Sequence, residues 1–286
     1  MDAPFDWPEF TEPKLRARLA LGQREFEEFA RRLAVLVKPR AYTPADLTNA
    51  LEYPWRRPRG SFLLEGETVT ALDRLPADAL DAQRRYPLLA YGSNASPEAL
   101  ANKFSALASE QRSVYALLGR LRDFDVGASA HAAIYGSLPA TLVASPGCEL
   151  NCAVLLVTAE QLQSIAWSEV NYHFGALADA EFATEIDAPP LGPLFAFVSR
   201  RGALTRGGKA LALNAVETLG RSAPAVSQNE LLTYAAQAAI GENATADQLL
   251  RELFADFART SDRVAVALGA DAIEFSASGW LRYPAG

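Results

Sequence analysis

The run Cys148-Glu149-Leu150-Asn151-Cys152-Ala153-Val154-Leu155-Leu156-Val157 constrains this chain more than any other stretch. At the two-residue period of a strand, Cys148, Leu150, Cys152, Val154 and Leu156 share one face. Ala153, Leu155 and Val157 make the opposite face apolar as well. A strand that is apolar on both faces belongs in the middle of a covered sheet. Directly behind it, Thr158-Ala159-Glu160-Gln161 has the form of a capping box, so a helix starts where the strand stops. Its apolar stripe is Leu162, Ile165 and Ala166, and Glu169 falls on that same stripe. Burial and the negative end of a helix dipole both disfavour an ionised carboxylate there, so the pattern predicts either a Glu169 able to exchange protons near neutral pH or a structural glutamate that pairs with an arginine or turns to water where the helix ends.

A second stretch has comparable content. Leu88-Leu89-Ala90-Tyr91-Gly92-Ser93-Asn94-Ala95-Ser96-Pro97-Glu98 reads as a short strand, a tight loop and a helix start, with Ser96 as N-cap and Pro97 at the first helical position. Gly92 is expected to supply the φ of the turn. Backbone N–H groups of such a loop converge on one small volume and suit an anion.

The flanking regions read as scaffold. Residues 12–37 carry Leu15, Leu19, Phe26, Phe29, Leu33 and Leu36 on one helical stripe, ended by Pro39, with Gly22 weakening the middle. Residues 62–71 read as a hairpin turning at Glu65-Gly66. Residues 114–125 have strand character interrupted at Gly119, and Ser145-Pro146-Gly147 reads as a turn. Ser227-Gln228-Asn229-Glu230 is a further capping box, opening a helical tail. The division expected is an N-terminal extension over 1–85 and a main domain over 86–286.

Charge bears on partners. Residues 1–85 carry 14 basic and 14 acidic side chains, while the remainder carries 13 and 20, for a formal net charge of −7. An acidic body argues against a nucleic-acid or anionic-membrane surface. The Met1-Asp2-Ala3-Pro4 start lacks a basic, apolar leader, and a soluble cytoplasmic protein is expected. Cys148 and Cys152 on one strand stand about 13 Å apart, too far for a disulfide, and with only His131 and His173 beside them no metal is expected.

From residue 86 to about 250 the chain resembles the γ-glutamylcyclotransferase-like family. The resemblance rests on Tyr91-Gly92-Ser93-Asn94, on Gly119-Arg120-Leu121-Arg122-Asp123-Phe124, on Ala140-Thr141-Leu142 with Ser145-Pro146-Gly147, and on the strand-helix passage ending at Glu169. The family pattern is not followed at Ala95 or at the neighbours of Glu169, Ala166-Trp167-Ser168 and Val170-Asn171.

The resemblance implies an α+β fold with a small mixed β-barrel-like sheet and peripheral helices. It implies an enzyme of acyltransferase or lyase type, related to glutathione metabolism, that cyclises a small-molecule γ-glutamyl substrate to 5-oxoproline and a free amine without a cofactor, because the nucleophile is the substrate's own α-amine. Glu169 takes the place of the family's catalytic glutamate and Tyr91, Gly92, Ser93 and Asn94 that of its substrate loop, with Tyr172 and Arg201 as further pocket residues. Two alternatives stand beside it: a cyclotransferase specialised for one biosynthetic γ-glutamyl amine, and a catalytically silent protein that binds a γ-glutamyl-like ligand.

Overall fold

The computed structural model describes residues 5–80 and 84–284, so the Met1-Asp2-Ala3-Pro4 start lies outside the described residues. Pro13 opens α1 (Pro13–Leu19), and α2 (Gln23–Leu36) follows. The single helix expected over 12–37 is therefore two. Gly22 is the N-cap of α2 in extended backbone (φ −70°, ψ 172°), and the chain redirects there rather than merely losing helix propensity. A capping box between Thr43 and Asp46 starts α3 (Pro44–Leu51). Then β1 (Phe62–Glu65) and β2 (Thr68–Ala71) form the hairpin, with Gly66 at φ +61° and Glu65 opposite Thr68, so the turn is Gly66-Glu67.

The body comprises β3 (Tyr86–Ala90), α4 (Pro97–Phe104), β4 (Ser113–Ala128), β5 (Ala140–Val157), α5 (Ala159–Ser168), β6 (Tyr172–Leu177), β7 (Phe182–Thr184) and β8 (Leu194–Ser199). Short strands β9 (Ala203–Arg206), β10 (Lys209–Ala210), β11 (Ala212–Leu213), β12 (Thr218–Leu219) and β13 (Ala225–Val226) lead to helices α6 (Gln228–Ala239), α7 (Ala246–Ala255) and α8 (Phe257–Gly269). Strands β14 (Ala272–Ile273) and β15 (Trp280–Arg282) complete a mixed α+β fold.

One 12-stranded sheet runs in the order β13-β11-β4-β5-β3-β8-β6-β15, with β1, β2, β7 and β12 attached beside the path. Its ends do not pair with each other among the described residues, so the expected small barrel-like sheet is corrected to a larger open one. The cause lies in β4 and β5, which pair over 16 and 18 residues with an irregularity between Arg122 and Phe124. Along one edge β4 takes β1, β7 and β11 in succession, and this lengthens the sheet instead of closing it.

Two expected breaks are also absorbed into these strands. Gly119 lies within β4 because a Cβ there would stand 2.2 Å from the Ala183 carbonyl oxygen of β7; the glycine serves a close approach. Ser145-Pro146-Gly147 is a bulge inside β5, since residues 145–148 stand opposite Asp123 alone. The Gly147 N–H donates to Asp123 Oδ1 at 2.7 Å, and Asp123 itself has φ +65°.

β5 lies between β4 and β3, and its two faces feed different cores. Leu150, Cys152, Val154 and Leu156 join the cluster under α6, α7 and α8. Ala153, Leu155 and Val157 join a second cluster with Leu15 and Leu19 of α1, Leu100 and Phe104 of α4, and Leu162 and Ile165 of α5. Residues from the first 85 are thus built into both clusters, and β1 pairs directly with β4. Cys148 and Cys152 are free, buried thiols. Among the described residues no helix is long and apolar enough to cross a membrane.

Candidate functional site

The doubly covered position of β5 fixes where α5 starts, and the Thr158/Gln161 capping box makes that start abrupt. Ten residues later the helix ends at Ser168, and Glu169 is its C-cap (φ −94°, ψ 43°). The end is held from outside the helix. Arg18 of α1 donates through Nε to the Ala166 carbonyl at 2.9 Å, and its guanidinium lies over the rings of Phe29 and Trp167. Burial lowers Arg18 to about 10, against the opposing charge of Glu169.

Across from Glu169, β3 runs into Tyr91-Gly92 and a single 3-10 turn, Ser93–Ala95, before α4. Gly92 has φ −105°, so no left-handed backbone is needed there. A Cβ would instead lie 2.9 Å from the Tyr53 hydroxyl and 3.1 Å from Ala140 Cβ, and space explains the glycine.

Two segments 75 positions apart meet at this point. Asn94 Nδ2 donates to Glu169 Oε1 at 3.1 Å. Lys103 of α4, two turns beyond the loop, donates to Asn94 Oδ1 at 2.6 Å and to Glu169 Oε1 at 2.9 Å. The ion pair is largely screened from water, with the two side chains 16% and 12% exposed. Ser168 Oγ adds a longer contact of 3.4 Å to the same oxygen. Every hydrogen bond to the carboxylate among the described residues converges on Oε1.

A cavity of about 660 Å³ opens over this cluster, lined by Tyr91, Gly92, Ser93, Asn94, Lys103, Glu169 and Tyr172 among others. Four phenols stand around it. Burial pushes Tyr53 up to about 12, and pushes Tyr91, Tyr135 and Tyr172 well above the ordinary value, the Glu169 charge adding in each case. All four are therefore protonated at neutral pH. Tyr91 donates to the Phe197 carbonyl, Tyr172 donates to the Ala140 carbonyl at 2.8 Å, and Tyr53 accepts from the Ala140 N–H at 2.8 Å. Tyr91 and Tyr172 thus act as posts of the cavity wall, with their hydroxyls already committed.

Arg201 is not in the cavity lining. Its guanidinium lies over Phe26, 5.1 Å from the ring centroid, and its backbone N–H donates to Ser199 Oγ at 3.0 Å. That bond begins a chain toward His131, a cavity residue that the sequence reading did not select. Ser199 Oγ lies 2.6 Å from Ser129 Oγ, which lies 2.7 Å from His131 Nδ1. The Ser199 and Ser129 hydroxyls are buried, and leaving a buried hydroxyl proton unpaired costs about 1–3 kcal/mol. Only one direction uses every proton: Ser199 donates to Ser129, and Ser129 donates to Nδ1. This assigns the neutral Nε2–H tautomer to His131, whose protonation burial lowers to about 3.

Lys103, His131, Tyr53, Trp55 and Tyr135 are polar or aromatic cavity residues that carry no local sequence signal. Of these, Lys103 alone was within reach, because it lies on the helix that Ser96 and Pro97 announce, nine residues beyond Asn94. No family model, curated protein or solved structure matches the chain.

Proposed function

We propose that this protein cyclises a γ-glutamyl amide, releasing 5-oxoproline and a free amine. The observation that carries the reading is the meeting of Glu169 with Asn94 and Lys103 at the floor of one cavity. In such a substrate the α-amine closes on its own γ-carbonyl carbon, the C–N bond to the leaving amine breaks, and the nucleophile is intramolecular. What remains is proton transfer and orientation. Glu169 takes a proton from the α-ammonium and returns one to the departing amine, a contribution typically worth about 10²–10⁴ in rate.

Lys103 spends two of its three donors on Asn94 and Glu169, and the third is available to the α-carboxylate. The loop Tyr91-Gly92-Ser93-Asn94 holds the substrate folded, with the His131 Nε2–H as a donor to the carbonyl oxygen as it gains charge. The resemblance of Tyr91-Gly92-Ser93-Asn94 and of the passage to Glu169 supports the same reading.

The test is product identity. Incubation with γ-glutamyl amides and mass spectrometry of the products is expected to give 5-oxoproline and amine in equal amounts. Free glutamate in place of 5-oxoproline means hydrolysis and overturns the reading. The ion pair that engages Glu169 favours one second reading, ligand capture without turnover; its mark is saturable binding of a γ-glutamyl amide with no product.

A further inference from the structure

The polar cluster occupies only part of its cavity. A volume of about 660 Å³ is in the range that houses drug-sized ligands, more than a γ-glutamyl group fills. Much of the remaining wall is apolar, and part of it comes from outside the stretch that carries the resemblance. Leu33, Leu36 and Val37 of α2 and its C-cap line it, as do Ile134 and Trp167. Leu36, Ile134 and Trp167 are also among the few large apolar side chains left exposed, at 73%, 54% and 49%. Three such residues at the mouth of one cavity form a patch of the kind that marks a binding surface.

Beside them stands an aromatic trio. Tyr53 and Tyr135 stack at 5.7 Å between centroids, and Trp55 meets Tyr135 edge-on at 4.9 Å. Trp55 is fixed by its Nε1–H, which donates to the Asn49 carbonyl at 3.1 Å.

Building on the cyclisation reading, we infer that this apolar half of the cavity is a subsite for the leaving amine, and that the substrate is a γ-glutamyl amide of an apolar, aryl- or alkyl-bearing amine rather than of a polar amino acid. The occupant follows from continuity: one cavity presents carboxylate, ammonium and amide groups together with an apolar mouth, and a γ-glutamyl amide of this class matches both. Lys103 and Glu169, paired with each other, are the only charged side chains among the described residues that line the cavity. Arg18 lies over the Trp167 ring but outside that lining, so a carboxylate on the leaving group, as in a γ-glutamyl dipeptide, finds no counter-charge in this half.

The experiment compares γ-glutamylphenethylamide with γ-glutamylglycine in the wild type and in Leu36→Asp and Trp167→Ala, reading 5-oxoproline by mass spectrometry and binding by tryptophan fluorescence. The expected result is a kcat/KM about tenfold or more higher for the phenethylamide, a ratio that falls toward one in both variants. Equal or faster turnover of γ-glutamylglycine overturns the subsite and leaves cyclisation standing. If neither compound gives 5-oxoproline, cyclisation is overturned and binding decides the subsite. In that case saturable binding about tenfold tighter for the phenethylamide, weakened by Leu36→Asp, supports it, and equal or absent binding overturns it. Self-association that Leu36→Asp abolishes, without any preference between the two compounds, overturns it in favour of a second copy of the chain.

Discussion

At the scale of residues, the site turns on one carboxylate and the donors gathered on it. Lys103 and Glu169 form a nearly buried pair, so removing the ammonium leaves a carboxylate that, among the described residues, accepts hydrogen bonds from Asn94 and Ser168 alone, with Arg18 as the remaining nearby cation. Lys103→Met is expected to cost roughly 1–3 kcal/mol in chemical denaturation, and Lys103→Arg to recover part of it. An unchanged denaturation midpoint in Lys103→Met contradicts this.

His131 gives a pH signature. Folding holds it neutral down to about 3, against 6.5 in the unfolded chain. Above 6.5 the ring is neutral in both states and adds no pH dependence. Between 6.5 and 3 the unfolded chain binds a proton that the fold refuses, so stability falls as pH is lowered, by about 1.4 kcal/mol per unit. Unfolding curves between pH 7 and 5 are expected to be flatter for His131→Gln; parallel curves contradict the account. Glu169 and Asn94 were legible in the sequence because each ends or opens an element with a strong local signature. His131 was not, since its setting depends on Ser129 and on Ser199, 70 positions further along.

At the scale of elements, local chemistry spoke clearly wherever a boundary is set by a side chain. The capping boxes at Thr158/Gln161 and Ser227/Glu230 open α5 and α6 as the sequence indicates, and the doubly apolar strand lies inside its sheet. It spoke poorly where a glycine or proline answers to a neighbouring strand. Gly119 reads as a break from its own segment, yet the contact that demands it is with β7, more than 60 positions away. Gly119→Ala is expected to push β7 off β4 and to destabilise by about 1–3 kcal/mol, measured by thermal or chemical unfolding. A variant as stable as the wild type shows that β7 yields freely. The split of the first helix at Gly22 has the same origin, since α1 packs against α5 and the chain must turn before α2 can reach the cavity.

At the scale of the molecule, the first 60 residues contribute to the core and to the cavity together. Phe10, Leu15, Leu19 and Phe26 are each buried to within 4% of complete, and α2, Tyr53 and Trp55 line the cavity. Burial of side chains this size stabilises by about 1.5–3 kcal/mol each, a sum comparable with the whole stability of a typical domain. A chain beginning at residue 60 is therefore expected to lose cooperative unfolding by circular dichroism, and a native-like midpoint contradicts that.

The proposed cyclisation stands on proton transfer by Glu169 at the contact with Asn94 and Lys103. Its most direct measurement is the rate of 5-oxoproline release from a γ-glutamyl amide by the wild type and by Glu169→Gln, with the fold of each checked by its unfolding midpoint. The prediction is release by the wild type and a loss of about 10²–10⁴ in kcat for a folded Glu169→Gln. Equal release by the two proteins contradicts the assignment.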